Sequence, residues 1–293
     1  MTEAAVEGWQ GVDVKIAEVE RELARLRSVE EGRPFLRTSV LTHIAWLPPE
    51  WEQTGFDTLS GLAERHPSRA ILLVPVVDAE DGIDADVALR YFSWPGLDVE
   101  VSTEVITLRL RGRRAEVPAS ILASLLIADL PVFLRWRGQP PFGQEPFEQM
   151  VDLVDRLIVD STEWPDLPAA YGELAKIFPR TVVSDIAWAR TSRWRPLLAS
   201  LWPGIADVNR VRVRGTEAQA YLVAGWLRSR LGRTIELEHE PAERLEGVEL
   251  DGKPAPFPPG DPPNASDLLS DELERYERDP IYEGAVTAAG AAA

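Results

Sequence analysis

The strongest constraint on the fold lies between residues 115 and 240, where short apolar runs alternate with helical segments. PVFLRW (131–136), RLIVD (156–160), TVVSDIAW (181–188), VNRVRVR (208–214) and TIELE (234–238) read as strands. The intervening stretches 116–127, 145–154, 166–178, 192–201 and 216–231 have helical spacing. A strand that returns through a helix to a parallel neighbour makes a right-handed crossover. Five in succession predict a mostly parallel, helix-covered (Rossmann-like) sheet. In such sheets functional loops gather at the carboxyl ends of the strands.

The preceding residues have a different rhythm. RTSVLTHIAWL (37–47) reads as a strand, Pro48-Pro49 stops it, and 50–65 suit a helix. Three further strand-like runs follow at 70–77, 85–94 and 99–112, separated by turns at Asp81-Gly82 and Pro95-Gly96. Short turns predict antiparallel hairpins, and Pro75 points to an edge or a bulge. Residues 11–28 form an amphipathic helix with Ile16, Val19, Leu23 and Leu26 on one stripe, expected to dock on its own domain. After residue 240 the chain is acidic and proline-rich. KPAPFPPGDPPNAS (253–266) should be extended, SDLLSDELERYERDP (266–280) offers a short helix capped by Ser266 or Asp267, and AVTAAGAAA should fray. The fold class is therefore α/β: an N-terminal mixed α+β sheet with hairpins, the parallel sheet, and an extended acidic tail. The expected parts are an N-terminal helix (1–32), a mixed domain (33–114), a parallel domain (115–240) and the tail (241–293).

Charge and composition narrow the function. The chain carries 48 acidic against 31 basic residues, a formal charge of −17. Phosphate neutralisation dominates nucleic-acid binding, so a chain without a basic stripe is expected to bind no nucleic acid. With no cysteine, thiolate catalysis, disulfides and cysteine zinc sites are excluded. No run approaches the ~20 apolar residues of a membrane span, and the N-terminus has no signal-peptide pattern. The expectation is a cytoplasmic protein with no membrane contact.

The motifs of common enzymes are missing. No pair of glycines begins G-x-G-x-x-G. GVELDGKP (247–254) has the spacing of a phosphate loop, but Pro254 stands where a magnesium-binding hydroxyl is needed. His43, His66 and His239 are widely separated, and none forms a zinc-binding pair. His43, in mid-strand, reads as a packed or surface histidine. No G-x-S-x-G elbow is present. Catalytic residues, cofactor and metal are all expected to be none.

Arginines offer the remaining signal. Arg69 in HPSR (66–69) sits before a strand, where it could hold an anion, though the stretch reads first as a simple turn. Arg135, Trp136 and Arg137 end the first crossover strand. DIAWARTSRWRPLLASLW (185–202) holds three tryptophans, with Arg190, Arg193 and Arg195 near a helix start. Trp188 is expected to finish the strand, and Thr191 or Ser192 to cap the helix. Trp194, Leu197, Leu198 and Leu201 have core spacing. Positive charge opposes a helix N-terminus by a few tenths of a kcal/mol, so an anion or an acidic partner is expected to answer it. Arg135, Trp136, Arg137, Arg190, Arg193 and Arg195 are thus the candidate partner or anion-binding surface.

RTSVLTHIAW (37–46), HPSRAI (66–71), ADLPVFLRWRG (128–138), DRLIVDSTEWPD (155–166), DIAWARTSRWRPLLA (185–199), AYLVAGWLRSRLG (220–232) and SDLLSDELERYERDPIYEGAV (266–286), in that order, resemble the glucose-6-phosphate dehydrogenase assembly family, OpcA. The resemblance implies a non-catalytic protein that binds glucose-6-phosphate dehydrogenase and promotes its assembly or activation, supporting NADPH production in the pentose phosphate pathway. Some relatives are linked to thiol-based redox control, which a chain without cysteine cannot carry. A second reading is a module that binds a small anionic effector, a phosphosugar or nucleotide, through Arg135, Arg190 or Arg193. A third, a hydrolase, requires a histidine or carboxylate pair converging at the strand ends.

Overall fold

A computed structural model of the chain describes residues 7–29, 35–37, 39–62, 65–93 and 100–291. The chain divides into two compact units, Met1–Leu157 and Ile158–Ala293. The Pro95-Gly96 turn and the junction at 32–33 lie outside the described residues.

The first unit runs β1 (Glu7–Gly11), α1 (Ile16–Val29), β2 (Phe35–Arg37), β3 (Leu41–Trp46), α2 (Glu52–Leu62), β4 (Ser68–Val76), β5 (Gly82–Ser93), β6 (Glu100–Arg111), α3 (Pro118–Leu122), β7 (Val132–Trp136) and α4 (Glu145–Leu153). Its strands lie in the order β1-β5-β6-β4-β3-β7, with β2 also on β6. The β2–β6, β3–β4, β3–β7 and β4–β6 pairings are parallel, and only β1–β5 and β5–β6 are antiparallel. The mostly parallel sheet therefore begins well before residue 115.

Of the two expected hairpins, β5–β6 forms and β4–β5 does not. The Asp81-Gly82 turn joins strands that are not neighbours, because β6 lies between them. The sequence pattern explains the order. Ala70 to Val74 are all buried, as a strand covered on both faces requires. In β5, Ile83, Ala85, Val87 and Leu89 are buried while Asp84, Asp86, Ala88 and Arg90 are half-buried, the alternation of a strand with one wet face. Pro75 is on a central strand rather than at an edge. The ladder with β3 ends at the Trp46–Leu73 pair, so Pro75 lies where β4 is paired on one side alone and a missing N–H is tolerated. Helix α1 buries Val19, Leu23 and Leu26 and packs on β5, as its stripe predicts.

The second unit opens within β8 (Arg156–Val159). It continues through α5 (Ala169–Ala175), β9 (Val182–Asp185), α6 (Ile186–Ala189), α7 (Trp194–Ala199), β10 (Arg210–Gly215), α8 (Glu217–Leu231), β11 (Glu236–Pro241), β12 (Gly247–Leu250), β13 (Lys253–Pro254), α9 (Ala265–Leu273) and α10 (Pro280–Gly290). Strand β9 lies beside β8. The expected strand 181–188 stops at Asp185, whose carboxylate accepts the Ala187 N–H and turns the chain into α6. Trp188 is thus helical.

The last two crossover strands do not extend that ladder. They build a separate sheet, β11-β10-β12-β13, in which β10–β11 is parallel and β12 is antiparallel to β10. In β10 the valines are buried and Arg210, Arg212 and Arg214 are exposed. A strand with one charged face cannot be covered on both sides. The arginines form ion pairs with Glu236, Glu238, Glu240, Glu246 and Glu249.

The tail is more structured than its composition predicts. Residues 255–264 carry no helix or strand, as expected, but β12, β13, α9 and α10 flank them. Asn264, not Ser266 or Asp267, caps α9. The alanine-rich end does not fray through residue 290. Tyr282, Ala285, Val286 and Ala289 are fully buried at i, i+3, i+4, i+7, and α10 packs on α8 and α5. Gly225 of α8 permits this approach, since a β-carbon there would strike the Ala285 carbonyl. Helix α8 is buried on all sides from Ala218 to Leu227, as a helix covered all round must be.

Candidate functional site

Strand β7 fixes Arg135 and Trp136, and Arg137 follows it. Trp136 is buried, stacks on Trp46 at 4.7 Å and meets the edge of Phe147. Arg135 is buried too, and its Nη1 donates to the Trp136 carbonyl at 2.9 Å. Arg137 is half-buried, with its guanidinium 4.1 Å from the centre of the Trp51 ring. Arg135 also faces His43, whose pKa falls to about 3, mainly through burial and then through the charge of Arg135. His43 is a packed neutral histidine.

In the second unit, polar groups converge where β8 and β9 end. Asp160 and Ser161 follow β8, and Asp185 ends β9. The Asp185 carboxylate accepts the Ser161 N–H at 3.0 Å, the Ser161 hydroxyl at 2.6 Å and the Ala187 N–H at 2.8 Å. The Tyr282 hydroxyl reaches it at 3.4 Å, and Tyr171 lies 2.9 Å from Ser161 Oγ. Burial, followed by the charge of Asp160, pushes the Asp185 pKa from 3.8 up to about 7. A carboxylate pair does converge at the strand ends, but both members are buried and occupied by internal donors. The cluster also contains no histidine. The cluster anchors the chain where β8 and β9 end.

The arginines of 190–195 take three kinds of partner. Arg190 Nη1 donates to Asp160 at 2.8 Å. Arg193 Nη2 donates to the carbonyls of Pro259 and Gly260, tying the proline-rich segment to the start of α7. Gly260 adopts a φ of +76° there, which favours glycine. Arg195 lies 3.6 Å over the Trp188 ring, its Nε has no hydrogen-bond partner, and burial lowers its pKa to about 10. The Trp188 indole donates to Asp279, which also caps α10. Neither Thr191 nor Ser192 caps α7. Arg193 holds that position, and the buried Thr191 hydroxyl donates back to the Trp188 carbonyl. Trp194 and Leu198 are buried, whereas Leu197 and Leu201 are only half-buried.

Arg190 and Arg193 line a cleft of about 480 Å³ within the second unit, together with Trp194, Gln219, Arg244 and Phe257. Gln219 sits in the capping box of α8: its Oε1 accepts the Thr216 N–H and its own N–H donates to the Thr216 hydroxyl. A larger hollow in the first unit, about 840 Å³, is lined by Glu52, Asp86 and Arg109. Those three are spent on one another, at 2.5 and 2.8 Å. Arg69 does hold an anion, but the anion is the chain's own buried Glu104 at 2.7 Å. The second Glu104 oxygen takes Arg27.

Asp160, Ser161, Asp185, Gln219, Arg244 and Phe257 are absent from the sequence-derived candidates. Strand ends hold the signal for three of them, since RLIVDS and VVSD place carboxylates directly after apolar runs. Gln219 was legible as the third residue after Thr216 in a capping pattern. Nothing local marks Arg244 or Phe257, which only the course of the tail brings to the cleft.

Two family profiles match the chain in order. The first, described as the N-terminal domain of a glucose-6-phosphate dehydrogenase subunit, matches residues 60–176. The second, described as the C-terminal domain of the same subunit, matches residues 181–257. The chain is 27% identical over 229 residues to the OxPP cycle protein OpcA of Synechococcus elongatus, covering 69% of this chain and 50% of that protein. With the OpcA of Nostoc punctiforme it shares 28% identity over 181 residues, 58% of this chain and 39% of that protein. The chain thus spans half or less of the length of these curated relatives. With both domains matched in sequence order over more than half of its residues, the chain belongs to the glucose-6-phosphate dehydrogenase assembly family, OpcA.

Proposed function

We propose that this chain is a non-catalytic assembly factor that binds glucose-6-phosphate dehydrogenase and promotes its oligomerisation or activity, supporting NADPH production. The observation that carries the reading is the ordered match to both halves of a family described by that enzyme. The site chemistry is consistent with it. The polar groups at the ends of β8 and β9 are used to hold the 186–195 segment, and their buried atoms present nothing to a substrate.

The docking residues we propose lie in each unit separately, with unequal roles. In the first, Arg137 keeps part of its side chain at the surface while Arg135 and Trp136 are buried. In the second, Arg190 and Arg193 keep part of their side chains at the surface and Arg195 stacks on Trp188. Trp202 and Phe257, exposed by 65% and 69%, add large apolar area in the second unit. Arginine and tryptophan are the residues that most often anchor protein interfaces. Some 1,200–2,000 Å² of total buried surface is typical of a specific complex. No helix among the described residues is long and apolar enough to cross a membrane.

The test is affinity co-purification from cells expressing a tagged full chain. Recovery of glucose-6-phosphate dehydrogenase in a complex that survives moderate salt is expected. Its absence, with normal dehydrogenase assembly in cells lacking this chain, would refute the proposal.

A further inference from the structure

The cleft of the second unit holds more hydrogen-bond donors than its own chain uses. Gln219 is 1% exposed, and its Oε1 is occupied in the capping box. Gln219 lines the cleft, and its Nε2 amide donates to none of the described residues. Arg190 uses only Nη1, on Asp160 and, at 3.4 Å, on Thr162. Arg193 uses only Nη2, on two backbone carbonyls, and has no carboxylate partner among the described residues. Arg244 stands 3.9 Å from Glu246, beyond hydrogen-bond length. Two carboxylates also line the cleft: Glu246, held by Arg214 at 3.3 Å, and Asp261. With the ion-pair partners of the lining groups counted, Arg190, Arg193, Arg244 and Arg214 stand against Asp160, Glu246 and Asp261, a surplus of one positive charge in a chain whose formal charge is −17.

Gln219 lies at the first turn of the 15-residue helix α8, where the helix dipole favours negative charge. The opposite wall is apolar. Trp194 packs edge-on against Phe257 at 5.4 Å, and Pro258, Pro262 and Pro263 continue the surface. The cleft, about 480 Å³, falls within the range of small-molecule sites.

We infer that this cleft binds a small phosphate monoester, its oxygens on Gln219 Nε2 and the unused N–H groups of Arg190 and Arg193, its body against Trp194 and Phe257. The site would make the chain a sensor of a phosphorylated metabolite as well as a docking partner, because Arg193 joins the cleft to the proline-rich segment. The inference stands on the cleft alone and goes beyond the assembly reading.

The test uses the full chain without the dehydrogenase, so that a failed co-purification leaves it standing. Calorimetry and thermal shift are run with glucose 6-phosphate and adenosine 5′-monophosphate, against inorganic phosphate and adenosine. Gln219→Glu is the central variant. Glutamate is an ordinary capping-box residue, but at a position 1% exposed its charge is desolvated, so the melting temperature without ligand should fall somewhat while the chain stays folded and the amide donor becomes a negative charge. Arg244→Gln, at an exposed position, is the second variant. At least one ester should bind saturably and more tightly than either half. Gln219→Glu should weaken it about tenfold or more, the loss of one charge-assisted hydrogen bond. Arg244→Gln should weaken it less. No saturable binding of either ester by about 10 mM, weaker than any specific site, or binding unchanged in both variants, would overturn the inference.

Discussion

Two stretches of this chain share the run Arg-Trp-Arg and have opposite fates. RWRG (135–138) ends a strand of the first unit, and ARTSRWRP (189–196) runs from the end of α6 through a turn into α7 in the second. On β7, successive side chains point to opposite faces, and both faces are covered, so Arg135 and Trp136 are buried. Arg135 donates to the Trp136 carbonyl, and Arg137 lies on Trp51. In the helical turns the side chains splay. One arginine is ion-paired, one clamps the tail and one stacks on tryptophan, with donors left over at the cleft. Arginine beside tryptophan therefore marks a site only where the backbone leaves one face of the pair open.

The largest test of that contrast is Trp136→Ala. A fully packed indole lost from the core should destabilise the first unit by about 3–5 kcal/mol in urea unfolding; a cost below about 1 kcal/mol would move the β7 stretch to the surface side of the comparison. Next comes the pH response of the anchor beneath the second stretch. The folded-state pKa of Asp185, about 7, lies above its ordinary 3.8. Its protonated form therefore favours the folded state. The stabilisation is full below the ordinary value and is lost as pH rises through about 7. Asp185→Asn should flatten this component of the stability profile between pH 4 and 7, as the difference between variant and wild-type unfolding curves. A difference curve that stays level over that range would contradict the burial argument.

Arg190→Glu should have an intermediate effect. It sets a carboxylate beside the buried Asp160, and about 1–3 kcal/mol of stability should go with the lost hydrogen bond. A charge reversal there cannot separate docking from folding, so Arg193 and Arg137 are the cleaner probes. Arg193→Gln gives up the hydrogen bonds to the Pro259 and Gly260 carbonyls and Arg137→Gln its place over Trp51, so each should cost about 0.5–1.5 kcal/mol. If the more open stretch is the docking face, Arg193→Gln should weaken dehydrogenase capture and Arg137→Gln should weaken it less. The reverse order would shift the docking face to the first unit.

Much of the architecture was legible because it rests on period and length. The helix α1 stripe, the strands at 41–46, 132–136 and 156–159, and α8 follow from apolar spacing. Sheet order was not legible. Nothing local in VVDAEDGID tells that the next strand in sequence will not be the next in space; that depends on β6 matching β4 along eight paired residues. Likewise, the alanine-rich end looks like a fraying tail until Gly225 offers it a groove. The candidate arginines were found by their clustering, whereas their partners were not. Asp160 and Asp279 are separated from Arg190 and Trp188 by 30 and 91 residues, and one sequence does not reveal pairings over such distances.

The assembly reading is tested most directly by titrating the purified full chain into purified glucose-6-phosphate dehydrogenase while following sedimentation and NADPH formation together. The dehydrogenase should shift to a larger species that contains this chain, and its specific activity should change in step, saturating at a fixed ratio. Unchanged sedimentation and unchanged activity at a several-fold excess of this chain would contradict the proposed function.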